Sequence, residues 1–400
     1  MLKLYAKTPT VGARSETELL LCCARTCIDA ETAERVRTLL QTDIDWSHLT
    51  GTALQHGVMP LLYWSLNATC PEAVPPAVLR QLRDRFYTNV ENNLSLTGEL
   101  VNFLNLLEAH GIPAIPFKGP VLAASVYGNL ALRQCGDLDI LVHERDVQRA
   151  KELLMSQGYR HNAHPWEGYF LQSELVRQDG RVSVDLHWGI APKDYTCQPN
   201  PEYVWERLVP VSLLGTTVLT LSPEDSLLLL CAHGTKEYWQ RLNRICDVAE
   251  LVRHRPQLNW GEVLQQARRL RSERMLYLSL HLANDLLGAT LPADVLSRVQ
   301  ADPIVLSLAA QVHTWLLREM DGSPDASDLS MFPLSEKALF RLRVRERWRD
   351  RVPYFLRRLR CLLPLPTSLS FLYYLLRPLR LMRAYGGSPF KRLLRLLCGG

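Results

Sequence analysis

Residues 117–142 read Phe117-Lys118-Gly119-Pro120-Val121-Leu122-Ala123-Ala124-Ser125-Val126-Tyr127-Gly128-Asn129-Leu130-Ala131-Leu132-Arg133-Gln134-Cys135-Gly136-Asp137-Leu138-Asp139-Ile140-Leu141-Val142. The end of this stretch decides the fold. Asp137-Leu138-Asp139 alternates and then turns apolar through Ile140, Leu141 and Val142, as a strand entering a core does. Side chains on a strand repeat every two residues, so both carboxylates are expected on one side. Two like charges that close repel unless a proton or a cation sits between them. A divalent metal is the natural resolution, and Asp185 is the candidate third ligand.

The periodicity on either side is different. Glu16 to Cys27, Ala30 to Leu40, Trp46 to His56, Leu79 to Phe86 and Asn89 to His110 all space apolar residues three or four apart, which predicts helices. The Pro71–Pro76 segment predicts a loop. Ile112 to Phe117 then reads as a short strand, Gly119 as a turn, and Pro120 to Tyr127 as a helix with proline near its start. After the Asp137–Val142 strand comes an amphipathic helix from Arg145 to Gln157, stopped by Gly158.

Asp179-Gly180 is a hairpin turn pair, and it predicts strands over Tyr169 to Arg177 and Arg181 to Trp188. On the second of these, Val182, Val184 and Leu186 alternate toward the core. Ser183, Asp185 and His187 therefore share the opposite face. If this strand lies beside the one carrying Asp137 and Asp139, three carboxylates converge. Ser222 is an N-cap with Pro223 at the first helical position, and the pattern stays helical to about residue 320. The expected fold is α+β: a small mixed sheet at 111–220, a helical region at 1–110, a helical domain at 221–330, and a basic, Pro-punctuated helical tail at 331–400.

Composition is that of an ordinary globular protein, 47% apolar and 22% charged, with no low-complexity tract. The net charge of +5 is unevenly placed. Residues 341–400 hold fifteen Lys/Arg against Glu346 and Asp350, so the tail carries +13 and the other 340 residues sum to −8. The ten cysteines are scattered without a CxxC pair, which predicts reduced thiols rather than a disulfide framework. Glu16, Glu18 and Arg25 bracket the short apolar run Leu19–Ala24, so no signal peptide is expected. The uncharged stretch from Cys361 to Leu376 is broken by Pro364 and Pro366 and is shorter than the roughly 20 residues of a spanning helix. The expected location is cytoplasmic, with the tail able to meet the inner face of a membrane.

The chemistry follows from the donors. Three hard carboxylate ligands with open positions suit Mg²⁺, with Mn²⁺ as the near alternative, because such an ion keeps water and takes substrate phosphates as further ligands. Two such ions about 4 Å apart would activate an attacking hydroxyl and stabilise leaving pyrophosphate. Gly119, just before a helix, offers backbone N–H groups to a triphosphate. Lys118 and Arg133 are candidate phosphate cations, and a planar guanidinium suits a phosphate better than an ammonium does.

With these residues in view, the chain resembles the nucleotidyltransferase superfamily with the DNA polymerase β-like core, and within it bacterial nucleotidyltransferase family proteins of largely unassigned substrate. The resemblance rests on Lys118-Gly119, the approach from Arg133 to Asp139, Asp185-Leu186-His187-Trp188, and His233-Gly234 with Trp239, Leu242 and Asp247 beyond it. It implies that Asp137 and Asp139 bind both metals. Asp185 would bind the catalytic metal and help deprotonate the acceptor. An NTP, ATP among the four, would donate a nucleotidyl group to an unknown acceptor. The motif glycine is usually followed by Ser or Gly, whereas Pro120 follows Gly119 here and supplies no N–H.

Each signal has a plainer reading. An Asp-x-Asp pair can be an edge strand that uses acids against aggregation. Lys118 and Arg133 can be ordinary exposed cations, and His187 reads as a structural hydrogen-bonder beside the site. His233, Lys236, Gln240, Arg244 and Asp247 recur at spacings of three or four, which is a solvated helix face unless the stripe lines the nucleotide cleft. His233 and Lys236 are the candidate nucleotide contacts on it. The tail reads first as a helical cap on the acidic remainder, second as an anionic-membrane contact, and third as a nucleic-acid contact. A sugar, small metabolite or lipid-linked acceptor is the first expectation. Protein or tRNA acceptors, as in toxin-type relatives, and a degenerate docking module are the alternatives.

Overall fold

β-branched and aliphatic residues at alternating positions build the centre of the molecule. The computed structural model describes residues 14–163, 167–189, 201–320, 335–352 and 354. Helices α1 (Ser15–Cys23), α2 (Ala30–Leu39), α3 (Trp46–Gln55), α4 (Met59–Thr69) and α5 (Pro76–Ala109) come first. β1 (Ala114–Pro116), α6 (Gly119–Ser125), β2 (Leu138–Val142), α7 (Val147–Ser156), β3 (Tyr159–Asn162), α8 (Glu167–Phe170), β4 (Gln172–Arg177) and β5 (Ser183–His187) follow. These five strands form one mixed sheet in the order β1-β2-β5-β4-β3. β2 and β5 run parallel, and the other neighbouring pairs are antiparallel. The fold is therefore the expected α+β class.

One face of the sheet is apolar. Leu138, Ile140, Val142, Val184, Leu186 and Leu175 are buried against Leu100, Phe103 and Leu107 of α5 and Ala150 and Leu154 of α7. Alternation leaves Asp139, Asp185 and His187 on the opposite face, where α6 and the next helical unit stand. That unit comprises α9 (Pro201–Trp205), the hairpin β6 (Val209–Leu213) and β7 (Thr216–Thr220), then α10 (Pro223–Lys236), α11 (Leu242–His254), α12 (Trp260–Arg269), α13 (Glu273–Leu287), α14 (Ala293–Ala301), α15 (Pro303–Met320) and α16 (Glu336–Val344). Ser222 caps α10 as expected, its hydroxyl accepting from the Asp225 N–H at 3.2 Å. One continuous apolar core runs from Leu19 and Leu62 in the first helices to Leu229, Val248 and Leu280 in the later ones.

Several elements depart from the sequence expectation for identifiable reasons. The two helices expected over 79–110 are one 34-residue helix, α5, because Tyr87 and Thr88 between them are tolerated in a helix interior and neither is Gly or Pro. β4 starts at Gln172 rather than Tyr169, since the chain first makes the short turn of α8 and passes Leu171 with φ 57°. β3 had no strong period-two signal; the β6–β7 hairpin was not expected although Val209, Val211 and Leu213 alternate with Pro210 and Ser212, and Leu214 and Gly215 turn it with φ 49° and 82°. The helical stripe from His233 to Asp247 is divided between α10 and α11, because Tyr238 and Trp239 both adopt left-handed φ (59° and 57°) and end α10.

The first part of the tail packs as a cap. Ala338, Phe340, Leu342 and Val344 of α16 are buried, and Arg341 lies over the Tyr238 ring at 4.7 Å while donating to the Lys236 carbonyl at 2.9 Å. The aromatic and basic run Phe371–Arg383, on which the membrane and nucleic-acid readings rested, lies outside the described residues. Among the described residues no helix is long and apolar enough to cross a membrane.

His56 ties α3 to α11. It is 1% exposed, and its Nδ1 accepts from the Leu242 N–H at 3.3 Å. Burial, with help from the Arg241 charge, pushes its pKa down to about 4. Between pH 6.5 and 4 the unfolded chain holds a proton on this ring that the folded chain does not. Stability contributed by the neutral ring is thus complete above pH 6.5 and lost as pH falls toward 4, by about 2–3 kcal/mol. Urea midpoints measured across this window should fall more steeply for wild type than for His56→Asn, which keeps an acceptor but no titration. Parallel curves would refute the assignment.

Candidate active site

Parallel pairing of β2 with β5 sets Asp139 opposite Asp185 and Leu141 opposite His187. Residues opposite one another share a face, so both carboxylates and the imidazole project into the same space. Ligand atoms of Asp139, Asp185 and His187 lie within 4.8 Å of one another. Asp139 is 4% exposed, and its Oδ1 receives Lys118 Nζ at 2.8 Å and faces His187 Nε2 at 3.0 Å. Gln172, beside His187 on β4, donates from Nε2 to Asp185 Oδ2 at 3.2 Å. Asp137 falls one residue before β2 begins and lines the same cavity without joining the close group.

The electrostatics separate the acids. Burial raises Asp139, but Lys118 and the hydrogen-bonded His187 outweigh it and hold the carboxyl well below the usual range. Asp185 is pushed up to about 7, by burial first and then by the Asp139 and Asp137 charges. Crowding by protein and the Asp139 charge push Asp137 up as well, although its exposed side chain weakens the first effect. Burial lowers His187 despite its bond to Asp139, so the ring is neutral and able to ligate. Two carboxylates and a neutral imidazole form a donor set that a divalent metal fits.

Gly119 and the loop before β2 bring these groups together. Gly119 has φ +53°, and a Cβ there would stand 2.9 Å from the Asp137 carbonyl oxygen. The position needs glycine because the turn packs directly on the backbone that delivers Asp137. Arg133, 6% exposed, is held by Asp247 through Nε at 2.9 Å and Nη2 at 3.0 Å. Tyr127 also donates to Asp247, and Asn89 and Asn93 of α5 donate to carbonyls of residues 130–133. Arg133 thus reaches the cavity wall with its fork already engaged.

His233 and Lys236 of α10 face the acids across a cavity of about 130 Å³, room for an ion with its water shell. Glu237 and Arg244 join them, Arg244 bonding Glu237 through Nε at 3.0 Å. Burial, then Lys118 and Arg244, hold His233 well below its usual value, so it is neutral. Burial and the nearby Lys118 lower Lys236. The turn between the helices is fixed by Trp239, whose ring lies where a Cβ on Gly234 would be, 2.3 Å away.

All eight candidate residues, Asp137, Asp139, Asp185, Lys118, Gly119, Arg133, His233 and Lys236, therefore lie in or against one cavity. His187, expected as a hydrogen-bonder beside the site, does face Asp139 at 3.0 Å and joins the group that could hold a metal, whereas Asp247 as the partner of Arg133 was missed. The same-face spacing of Asp185 and His187 already set the ring beside the acids; the Asp247 pairing spans 114 residues and left no local signal.

A family model described as uncharacterised nucleotidyltransferase matches residues 42–288, more than half of the chain. The chain belongs to this nucleotidyltransferase family. No curated protein matches it. Among solved structures it is similar to an antigenic nucleotidyltransferase-like protein from Paracoccidioides brasiliensis, at 16% identity and a TM-score of 0.31, over 52% of this chain and 97% of that one. At that score the likeness adds nothing to the family assignment.

The Arg133–Asp247 pair generates a stability prediction. Replacing one member strands a buried charge, so Asp247→Asn should cost about 3 kcal/mol in denaturant unfolding. The double variant Arg133→Met/Asp247→Leu should recover most of that loss. A cost below about 0.5 kcal/mol for Asp247→Asn would show the pair to be screened like a surface bridge.

Proposed function

We propose that this protein transfers a nucleoside monophosphate from an NTP to an acceptor hydroxyl or phosphate, releasing pyrophosphate. The observation that carries the reading is the in-register pairing of Asp139 with Asp185 on adjacent parallel strands, with His187 beside them and Asp137 at the rim. An acid cluster of this kind, faced by cations, suits a metal-bound polyphosphate better than a neutral ligand.

Asp139 and Asp185 would hold a divalent ion, Mg²⁺ or Mn²⁺, with Asp137 and His187 at hand as further ligands. When bound, the ion supplies charge neutralisation at the reacting phosphate and the leaving pyrophosphate. Lys118, His233 and Lys236 orient the triphosphate, together with the backbone at Gly119. Pro120 has no N–H, so this turn offers one donor fewer and the side chains carry more of the binding. Arg133, fixed on Asp247, lines the cavity with its charge already compensated. Asp185, at the edge of the acid cluster, accepts the acceptor's proton on its carboxylate as the new P–O bond forms. The favoured acceptors are a sugar, a small metabolite or a lipid-linked intermediate.

The test is transfer of label from each α-labelled NTP in the presence of Mg²⁺ and cell extract, with macromolecular and small-molecule fractions counted separately. Wild type should label one fraction, and Asp185→Asn should reduce transfer by about 10³-fold or more. The same substitution removes a like charge from a crowded cluster, so the variant's metal-free melting temperature should equal or exceed wild type. Equal transfer by both proteins would refute the reading.

A further inference from the structure

Asp139 Oδ1 is shared between two donors. Lys118 Nζ lies 2.8 Å from it and His187 Nε2 lies 3.0 Å from it. Lys118 is only 8% exposed, so its ammonium enters the carboxylate cluster instead of resting at the edge. The backbone aims it there: the Phe117 N–H donates to the Asp139 carbonyl at 3.3 Å, and the turn at Gly119 packs on Asp137. Arg133 is bound to Asp247 and Arg244 to Glu237, so each of these cations already has an acid of its own. Lys118 instead neutralises an acid that belongs to the metal-ligating group.

Asp139 cannot serve both cations equally well. A divalent ion on Asp139 and Asp185 would stand a few ångströms from the ammonium, where two positive charges repel strongly in a cavity shielded from water. Lysine, unlike a planar arginine, is a point charge on a flexible four-carbon stem and can swing to a new anion without losing a fixed fork geometry. His233 and Lys236 stand across the same cavity, where phosphates would lie if the nucleotidyltransferase reading holds.

We propose that Lys118 is the internal counter-ion of the metal-free site, displaced from Asp139 by the divalent ion and then paired with the phosphates of the nucleotide. This rests on the nucleotidyltransferase reading and adds an order of events to it. Without metal, the acids stay compensated and the core stays folded. Metal alone binds against the lysine, whereas metal and nucleotide together give the displaced ammonium a new partner. The two ligands are therefore positively coupled through one side chain. The same movement would supply a cation where Pro120 leaves the phosphates one N–H short.

Calorimetric titration of the full chain with Mn²⁺, with and without an ATP analogue that cannot be cleaved between its α and β phosphates, tests this. Lys118→Met should bind Mn²⁺ alone about tenfold or more tightly than wild type, because the competing charge is gone. The analogue should tighten Mn²⁺ binding less in Lys118→Met than in wild type. Equal or weaker Mn²⁺ binding by Lys118→Met would overturn the inference while leaving the metal site intact. No Mn²⁺ binding by wild type even with the analogue present would overturn this inference and the nucleotidyltransferase reading together. Should Lys118→Met fail to fold, amine labelling of wild type read by mass spectrometry decides the matter. Labelling of Lys118 should rise several-fold on adding Mg²⁺ alone, and an unchanged level would refute its displacement.

Discussion

Placing Asp139 directly across from Asp185 on two parallel strands is the constraint on which the rest of the site depends. Two carboxylates in register, half or fully buried, cost free energy that hydrophobic packing on the other face of the sheet must offset. That packing is present: Leu138, Ile140, Val184 and Leu186 close against α5 and α7 and leave the strands no freedom to slip. A one-residue slip would turn every acid into the core. The acid cluster is thus locked in place by the apolar face that it does not touch.

Around this pair the chain arranges charge in two layers. Lys118 and His187 meet Asp139 directly, while Asp247 holds Arg133 one step back. The second layer is structural in its energetics, since both members of the Arg133–Asp247 pair are buried and joined by two hydrogen bonds. It also spans the molecule: Asp247 lies on α11, Arg133 on the loop before β2, and Asn89 and Asn93 hold that loop from α5. Three distant parts of the chain meet at the residues that deliver Asp137 and Asp139. The left-handed turn at Tyr238 and Trp239 then brings α10 back over the cleft, braced from outside by Arg341 of α16.

Much of this was legible in the sequence, and the limits have physical causes. Asp137-Leu138-Asp139 before an apolar run, and a hairpin turn at Asp179-Gly180, are local signals, and both strands form close to where they were expected. The side-chain alternation of β5 correctly grouped Asp185 with His187, whose expected place as a hydrogen-bonder beside the site matches its 3.0 Å approach to Asp139. The α+β class followed from the change of period near residue 111. What could not be read was long-range: the Arg133–Asp247 pairing carries no spacing rule, and β3 is too short for alternation to show. The stripe from His233 to Asp247 kept helical spacing across a break because two non-glycine residues adopt left-handed backbone, which propensity does not anticipate. α4 was overlooked because its apolar residues surround the helix, leaving seven of its eleven residues buried and no clear amphipathic period.

The most direct measurement is pulsed electron paramagnetic resonance of Mn²⁺ bound to the purified full chain. The account predicts bound Mn²⁺ with a directly coordinated nitrogen that disappears in His187→Gln, and loss of binding in Asp139→Asn/Asp185→Asn. Mn²⁺ retained by that double variant, or bound by wild type with no nitrogen coupling, would contradict a metal centre built on the β2–β5 register.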